Sequence, residues 1–244
     1  MSAPAVSALI IGNEVLTAKV TEANGAHLIR RLRERGVPLQ SVHFVRDEVD
    51  EIIEQLVLCR RRARYVITSG GVGPTHDDVT VRAVARALRR EVVRLPEMEA
   101  RLRSFYGARA MPPEALRMAE APAGSRLIAC DDTRFPVLAC DDTYLLPGVP
   151  ALFRVQLEAV LPTLPGVPQV LRQLFLDARE SEIAAALDAV ALGRPQVAIG
   201  SYPTWGDQAD HLVKLTVEHP DAREVEAAVA ELRAALGRFI IRES

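Results

Sequence analysis

The chain has 244 residues, of which 49% are hydrophobic and 25% are charged, a composition typical of folded globular proteins and not of disordered ones. Its net charge of −2 provides no long-range basic field, so we expect neither nucleic acid nor a membrane as a partner. The sequence has three cysteines without a CxxC pair, and it shows neither a basic leader nor a long apolar run. Together these features predict a cytoplasmic location.

The first two-thirds of the chain alternates between short apolar runs and amphipathic segments. Strands are predicted at 7–12, 39–45 and 65–68, and helices at 21–35, 50–62 and 78–89. This order predicts an α/β fold with a parallel sheet, whose ligands bind beyond the carboxyl ends of the strands. Further short strands are expected at 127–128, 137–138 and 144–146, with a helix at 151–161.

A proline-rich stretch at 162–168 is the best candidate for a linker between domains. Beyond it, strands are predicted at 170–177, 196–201, 211–217 and 238–241, and helices at 180–192 and 222–236. The resulting βαββαβ order is that of a ferredoxin-like α+β module. The sequence therefore predicts one domain at 1–165 and a second, smaller one at 169–244.

The strongest chemical signal is the run TSGGVGPTHDDVT at 68–80, which joins a buried strand to a helix. Glycines let backbone N–H groups approach a ligand closely, and a helix N-terminus adds unpaired donors. We expect a phosphate to bind here, or else a tight turn with an ordinary helix cap. The candidate ligand-binding residues, which include the end of the first strand, are Gly12, Ser69, Gly70, Gly71, Gly73 and Thr75.

Three carboxylates are expected at the same edge of the sheet. Asp47 and Asp78 follow neighbouring strands, and Glu14 follows the first strand. Two carboxylates beside a phosphate favour a divalent cation between them, so we consider all three residues as metal ligands and both aspartates as catalytic. The alternatives are a surface loop for Asp47, a helix cap for Asp78 and a solvated turn for Glu14.

Histidine and aromatic side chains extend the list of candidates. His76, within the glycine-rich run, is a candidate acid or phosphate ligand, although a lone loop histidine is more often simply exposed. Tyr202 and Trp205 are candidates for stacking on a planar ring, and the alternative is that they cover the core of the second module. The repeated Ala-Cys-Asp-Asp-Thr at 129–133 and 139–143 favours paired hairpin strands over a metal site.

Several separated motifs resemble the MoaB/Mog-type molybdopterin-binding domain. They are IGNEVL at 11–16, VRDE at 45–48, the run at 68–80, YLLPGVP at 144–150 and GSYPTWG at 200–206. The PTHDD ending of the glycine-rich run is similar to the branch with the N-terminal domains of competence/damage-inducible proteins and eukaryotic FAD synthase. The resemblance implies a three-layer α/β sandwich with a mostly parallel sheet, and self-association as a dimer or trimer.

The resemblance also implies a choice between two activities. In adenylyltransferases of the family, two aspartates matter for joining AMP to molybdopterin, and they fall on Asp47 and Asp78. In the competence-protein and FAD-synthase branch, the domain is associated with metal-dependent hydrolysis of FAD or ADP-ribose at the pyrophosphate. Asn13 departs from the Gly-Asp-Glu usual in that branch and removes one anionic ligand.

The leading hypothesis is a nucleotide pyrophosphatase that releases AMP. Its expected cofactor is Mg²⁺, Mn²⁺ or Co²⁺, with K⁺ as a further candidate. One alternative is a molybdopterin-binding or adenylyl-transferring protein of molybdenum cofactor synthesis, whose ligand is a pterin phosphate. The other alternative is a non-catalytic ligand-binding module.

Overall fold

The computed structural model describes residues 4–130, 135–205 and 210–244. The chain divides into two compact units, Met1–Gly166 and Val167–Ser244. Strands of the first unit are β1 Val6–Ile11, β2 Leu39–Val45, β3 Tyr65–Ser69, β4 Val92–Arg94, β5 Glu120–Pro122, β6 Arg126–Ile128, β7 Val137–Cys140 and β8 Thr143–Leu146. Its helices are α1 Asn13–Leu16, α2 Asn24–Glu34, α3 Val49–Arg62, α4 Thr80–Ala87, α5 Pro96–Tyr106 and α6 Pro150–Val160.

A six-stranded sheet in the order β2-β1-β3-β8-β7-β6 forms the middle layer of the first unit. The four strands β2, β1, β3 and β8 are parallel, while β7 and β6 run antiparallel to their neighbours. Both β1 and β3 are buried along their whole length, because helices cover both faces of the sheet. The expected α/β fold with a mostly parallel sheet is confirmed.

Two hydrophobic cores hold the layers together. On one face, Leu28 and Leu32 of α2 pack with Phe153 and Leu157 of α6. On the other face, α3 and α4 cover the sheet, and Leu56 of α3 belongs to the same cluster as residues of α4. These helices bury one apolar stripe each, as the 3.6-residue period of their sequences requires.

The turn between β7 and β8 explains one of the two Cys-Asp-Asp sequences. Asp141 and Asp142 both have positive φ, 45° and 60°, as a two-residue type I′ hairpin requires. Their carboxylates pair with arginines, Asp141 with Arg90 at 3.0 Å and Asp142 with Arg64 at 3.2 Å. Asp131, Asp132 and Thr133 of the other copy lie outside the described residues.

The second unit is a four-stranded antiparallel sheet covered by two helices. Its elements are β9 Val170–Leu176, α7 Glu180–Gly193, β10 Ala198–Pro203, β11 Val213–His219, α8 Ala222–Leu236 and β12 Ile240–Glu243. The strand order is β10-β11-β9-β12, with every neighbouring pair antiparallel. This is the ferredoxin-like arrangement, and the additional C-terminal module expected from the sequence is confirmed.

Helix boundaries differ from the sequence expectations mainly at N-termini. The helix expected from residue 21 begins at Asn24, and the helix expected from residue 78 begins at Thr80. A 3₁₀ segment at Pro113–Ala119 precedes β5, which pairs with β4. Among the described residues, no helix combines the length and the apolar character needed to cross a lipid bilayer.

Candidate functional site

The carboxyl ends of β1, β2 and β3 open into a cavity of about 360 Å³ that we call the acidic cavity. Loops from three parallel strands meet here because parallel strands end at the same edge of the sheet. The residues that define the cavity are Glu14, Asp47, Gly71, Gly73, Asp77 and Asp78. The structure therefore brings together all three carboxylates that the sequence predicted as metal ligands.

Asp47 is held in place by the backbone of the neighbouring loop. Its Oδ2 accepts a hydrogen bond from the Asn13 N–H at 2.8 Å. Burial raises the pKa of Asp47, the hydrogen bond from Asn13 lowers it, and nearby negative charges raise it again, with the net change upward. Those charges belong to Glu14, Asp77 and Asp78. A cation bound next to Asp47 would offset the repulsion between these negative charges.

Asp78 closes the glycine-rich loop and does not cap the helix that follows. Its Oδ2 accepts hydrogen bonds from the Thr75 N–H at 2.7 Å and from the Thr75 hydroxyl at 2.5 Å. The N-cap position of α4 is Val79, which offers no side-chain cap. The helix-cap alternative for Asp78 is therefore wrong, because the aspartate side chain turns back onto its own loop.

Two glycines of the loop are required by the fold itself. Gly70 has a φ of 104°, and a Cβ there would lie 2.1 Å from the carbonyl oxygen of Ile11. Gly71 has a φ of 66°, and its Cβ would lie 2.3 Å from Oγ1 of Thr80. The Thr80 hydroxyl in turn donates to the Gly70 carbonyl at 2.8 Å. These contacts fold the chain tightly between β3 and α4.

The tight turn leaves backbone donors without partners. The Gly70 N–H donates to the Leu146 carbonyl at 3.0 Å, but the N–H groups of Gly71, Val72 and Gly73 have no hydrogen-bond acceptor among the described residues. All three residues line the acidic cavity. Successive free N–H groups beside a helix N-terminus are the donors that bind phosphate in many proteins.

A second cavity of about 310 Å³, which we call the arginine cavity, lies against the same loop. It shares Gly71, Val72, Gly73 and Asp78 with the acidic cavity. Its defining residues are Thr75, His76, Arg82, Arg117 and Glu120. Both arginines were missed in the sequence. Arg82 lies in the first turn of α4, directly after the glycine-rich loop, so its position in the sequence could have marked it as a candidate phosphate ligand. Arg117 lies in the 3₁₀ segment, and no sequence pattern connects it with the loop.

Three other residues that the sequence predicted to bind the ligand, His76, Ser69 and Gly12, do not line the acidic cavity. The His76 side chain is 96% exposed, and Oδ1 of Asp77 lies 3.9 Å from its Nδ1. The Ser69 hydroxyl is buried, accepts from Nδ2 of Asn24 at 2.9 Å and donates to the Pro147 carbonyl at 3.4 Å. Gly12 follows β1, and its N–H donates to the Val45 carbonyl at 3.1 Å.

The two predicted ring-stacking residues belong to the second unit. Tyr202 is half exposed, and Nζ of Lys214 lies 5.2 Å from the centre of its ring. The ring approaches Gly200, where a Cβ would lie 2.8 Å from Cε2 of Tyr202. Trp205 is 91% exposed and does not cover the core of its module. Gly206, the last residue of this motif, lies outside the described residues.

The donor set determines what kind of metal the site would fit. Among the described residues, no group of three or more His, Cys, Asp or Glu side chains is arranged to hold a metal ion. Mg²⁺ at nucleotide sites is usually bound by one or two carboxylates together with phosphate oxygens of the substrate. Asp47 and Asp78, beside a loop that offers free N–H groups, fit a hard divalent cation shared with a phosphorylated ligand.

Two family descriptions match the chain, one in each part of the sequence. Residues 7–175 match the family described as a probable molybdopterin binding domain, and residues 168–244 match the middle domain of FAD synthase. The chain is 33% identical to a CinA-like protein of Myxococcus xanthus, across 95% of this chain and 59% of that protein. It is 30% identical to a probable FAD synthase of Caenorhabditis elegans, across 96% of this chain and 50% of that protein.

One solved structure is similar to about two thirds of this chain. The crystal structure of CinA from Thermoplasma acidophilum, a protein of unknown function, matches 66% of this chain and 98% of its own chain. The TM-score is 0.61 and the sequence identity 28%. The chain spans 59% and 50% of the two curated relatives named above. The chain belongs to the family of the probable molybdopterin binding domain; its residues 168–244 are similar to the middle domain of FAD synthase, and the chain as a whole is similar to CinA-like proteins and to a probable FAD synthase.

Proposed function

We propose that the first unit hydrolyses the phosphoanhydride bond of a dinucleotide such as FAD or ADP-ribose and releases AMP. One observation carries this proposal: the loop from Gly71 to Gly73 lines both the acidic cavity and the arginine cavity. A pyrophosphate has two adjacent anionic groups, and this arrangement offers each of them a different partner. The similarity to CinA-like proteins and FAD synthases supports a ligand of the nucleotide class.

The residues of the loop and its neighbours would divide the binding of the two phosphates. The free N–H groups of Gly71 and Gly73 would donate to the phosphate oxygens between the cavities. The guanidinium groups of Arg82 and Arg117 would neutralise the phosphate on the arginine side, as planar fork donors do well. Arg117 also donates to the Pro74 carbonyl at 3.3 Å, which ties it to the loop.

The carboxylates would complete the site on the acidic side. Because Oδ2 of Asp47 accepts from Asn13, its Oδ1 remains for a cation, while Thr75 orients the carboxylate of Asp78. A divalent cation there, Mg²⁺, Mn²⁺ or Co²⁺, would supply charge neutralisation and polarisation of a phosphoryl group. Hydrolysis adds the hydroxyl group of water to one phosphorus and the proton to the leaving phosphate, giving AMP and a second phosphomonoester.

The test is a turnover assay of the purified protein with FAD and with ADP-ribose, each supplied separately at neutral pH. Mg²⁺, Mn²⁺ and Co²⁺ are compared, with K⁺ present and absent, and AMP is quantified. We expect AMP release that needs a divalent cation and falls by at least about a hundredfold in Asp78→Asn. Asp188→Asn, on an exposed position of α7, is the matched control and should keep full activity. Full activity of Asp78→Asn would contradict the proposal.

The second candidate function is binding of a pterin phosphate, or transfer of AMP to it, in molybdenum cofactor synthesis. The match of residues 7–175 to the probable molybdopterin binding domain favours it. The same N–H groups would then bind the phosphate of the pterin. If neither FAD nor ADP-ribose yields AMP with any of the three cations, molybdopterin binding should be measured with the wild-type protein and with Asp78→Asn.

A further inference from the structure

A third cavity of about 100 Å³, which we call the apolar slot, adjoins the other two. It shares Val72 and Leu152 with the acidic cavity, and Val72 and Val81 with the arginine cavity. Its walls are mainly hydrophobic, with Glu120 and Gln156 as the two polar residues, and include Val72, Val81, Met98, Met118, Phe135 and Leu152. A ligand whose phosphates lie on the glycine-rich loop can therefore extend directly into the slot.

One polar side chain in the slot is nearly buried. Gln156 of α6 is 6% exposed, and its Nε2 donates to the Phe135 carbonyl at 3.2 Å. That hydrogen bond orients the amide and uses one of its two N–H groups. Among the described residues, the other N–H and the carbonyl oxygen of Gln156 have no partner, so they remain as a donor beside an acceptor. A buried carboxamide among methionine and aromatic walls is suited to the polar edge of a flat apolar ring.

We propose that the apolar slot holds the edge of the planar nitrogen heterocycle of the bound nucleotide, and that Gln156 recognises this edge. The inference deepens the proposed pyrophosphatase and rests on it. Adenine and isoalloxazine share the required chemistry, because each has a hydrogen-bond donor next to an acceptor on its edge. A sugar fits poorly, because its hydroxyl groups would lose water without enough partners among these walls.

The experiment measures ring binding without turnover. FMN and AMP, the products expected from FAD, each carry a ring system and a phosphate, whereas ribose 5-phosphate, the second product expected from ADP-ribose, carries a sugar and a phosphate but no nitrogen heterocycle. Dissociation constants are measured for all three with the wild-type chain, by flavin fluorescence for FMN and by calorimetry for the others. The variants are Gln156→Leu, which removes the amide, and Phe135→Ala, which removes an aromatic wall and keeps the backbone carbonyl.

The matched control is Gln169→Leu, because Gln169 is exposed and donates to the nearby Val167 carbonyl. Thermal melts establish that each variant is folded. We expect Gln156→Leu to weaken binding of one ring compound by about tenfold, which corresponds to one lost hydrogen bond, and to leave ribose 5-phosphate unchanged. Phe135→Ala should weaken the same compound, and Gln169→Leu should weaken none.

The compound that loses affinity identifies the occupant: FMN indicates the isoalloxazine ring and AMP indicates adenine. The inference is overturned if both rings bind folded Gln156→Leu and Phe135→Ala as tightly as wild type, or if wild type binds neither ring better than ribose 5-phosphate. FAD and ADP-ribose turnover is measured in parallel. Absence of turnover with a ring-specific loss of affinity contradicts the proposed function alone, and turnover without such a loss contradicts the slot alone.

Discussion

Replacement of Gly70 by alanine tests whether the glycine-rich loop is shaped by the fold before any ligand binds. At a φ of 104°, the new Cβ would lie 2.1 Å from the Ile11 carbonyl oxygen. Ile11 ends β1, which pairs with β2 and β3, so its backbone cannot move aside without disturbing the sheet. The strained backbone costs about 1–3 kcal/mol and the forced contact about 1–3 kcal/mol, so we expect a loss of roughly 2–6 kcal/mol.

Gly107→Ala is the matched control for this prediction. Gly107 also has a positive φ, 56°, but the nearest atom to its Cβ would be the Ser104 carbonyl oxygen at 4.0 Å. Only the backbone term applies, because a φ of 56° with a ψ of −123° is adopted almost only by glycine, so the expected loss is about 1–3 kcal/mol and lacks the further cost of the contact at Gly70. Urea unfolding followed by circular dichroism measures both variants, and hydrogen-exchange mass spectrometry of peptides from the first unit assigns the transition to that unit.

Equal losses of stability in Gly70→Ala and Gly107→Ala would refute the argument from the Ile11 carbonyl. Gly73→Ala provides the complementary case, since its Cβ would lie 2.6 Å from Oδ2 of Asp78, a side chain that can rotate. We expect Gly73→Ala to keep its stability within about 1 kcal/mol and to lose turnover, because the displaced carboxylate leaves the acidic cavity.

Three further variants test the electrostatics. Burial raises the pKa of Asp47 above its ordinary 3.8, so ionisation of this carboxyl group destabilises the folded state. In urea titrations, Asp47→Asn should therefore be more stable than wild type by about 0.5–1 kcal/mol at pH 7 and equally stable at about pH 3. The variant should also lose turnover. An equal difference at both pH values would contradict this. Hydrogen bonds from Arg31 lower the pKa of Glu158 below its ordinary 4.5. Glu158→Gln should therefore be less stable than wild type by about 0.5–1 kcal/mol at pH 7, and this difference should vanish as the pH falls through the lowered pKa. A loss that persisted at about pH 2 would count against the ion pair. Asn13→Asp should lower the Mg²⁺ concentration for half-maximal turnover by at least about threefold, and an unchanged value would argue against a cation at this edge.

Much of the site's position could be predicted from local sequence patterns. Apolar runs at β1 and β3, amphipathic helices between them and a glycine-rich turn after β3 are all local features, and together they predict a parallel sheet with Glu14, Asp47 and Asp78 at one edge. The period of a helix or strand depends on neighbouring residues only, so it can be recognised without the fold.

The use of individual polar atoms could not be predicted in the same way. Ser69 lies in the glycine-rich run, yet its hydroxyl bonds to Asn24, 45 residues away in sequence. Asp78 has the spacing of a helix cap, yet it bonds to Thr75 because α4 begins two residues later. Such outcomes depend on which donors the packed chain brings within about 3 Å.

The class of fold, the family and the loop where a phosphate is expected could all be predicted from the residues alone, since each depends on local periodicity or on contiguous motifs. Three other contacts become visible only in the folded chain: Gly70 faces the Ile11 carbonyl, Arg117 donates to the Pro74 carbonyl, and Gln156 lines an apolar slot. These contacts join residues that are far apart in the chain, and only the packing of the sheet, the helices and the 3₁₀ segment brings them together.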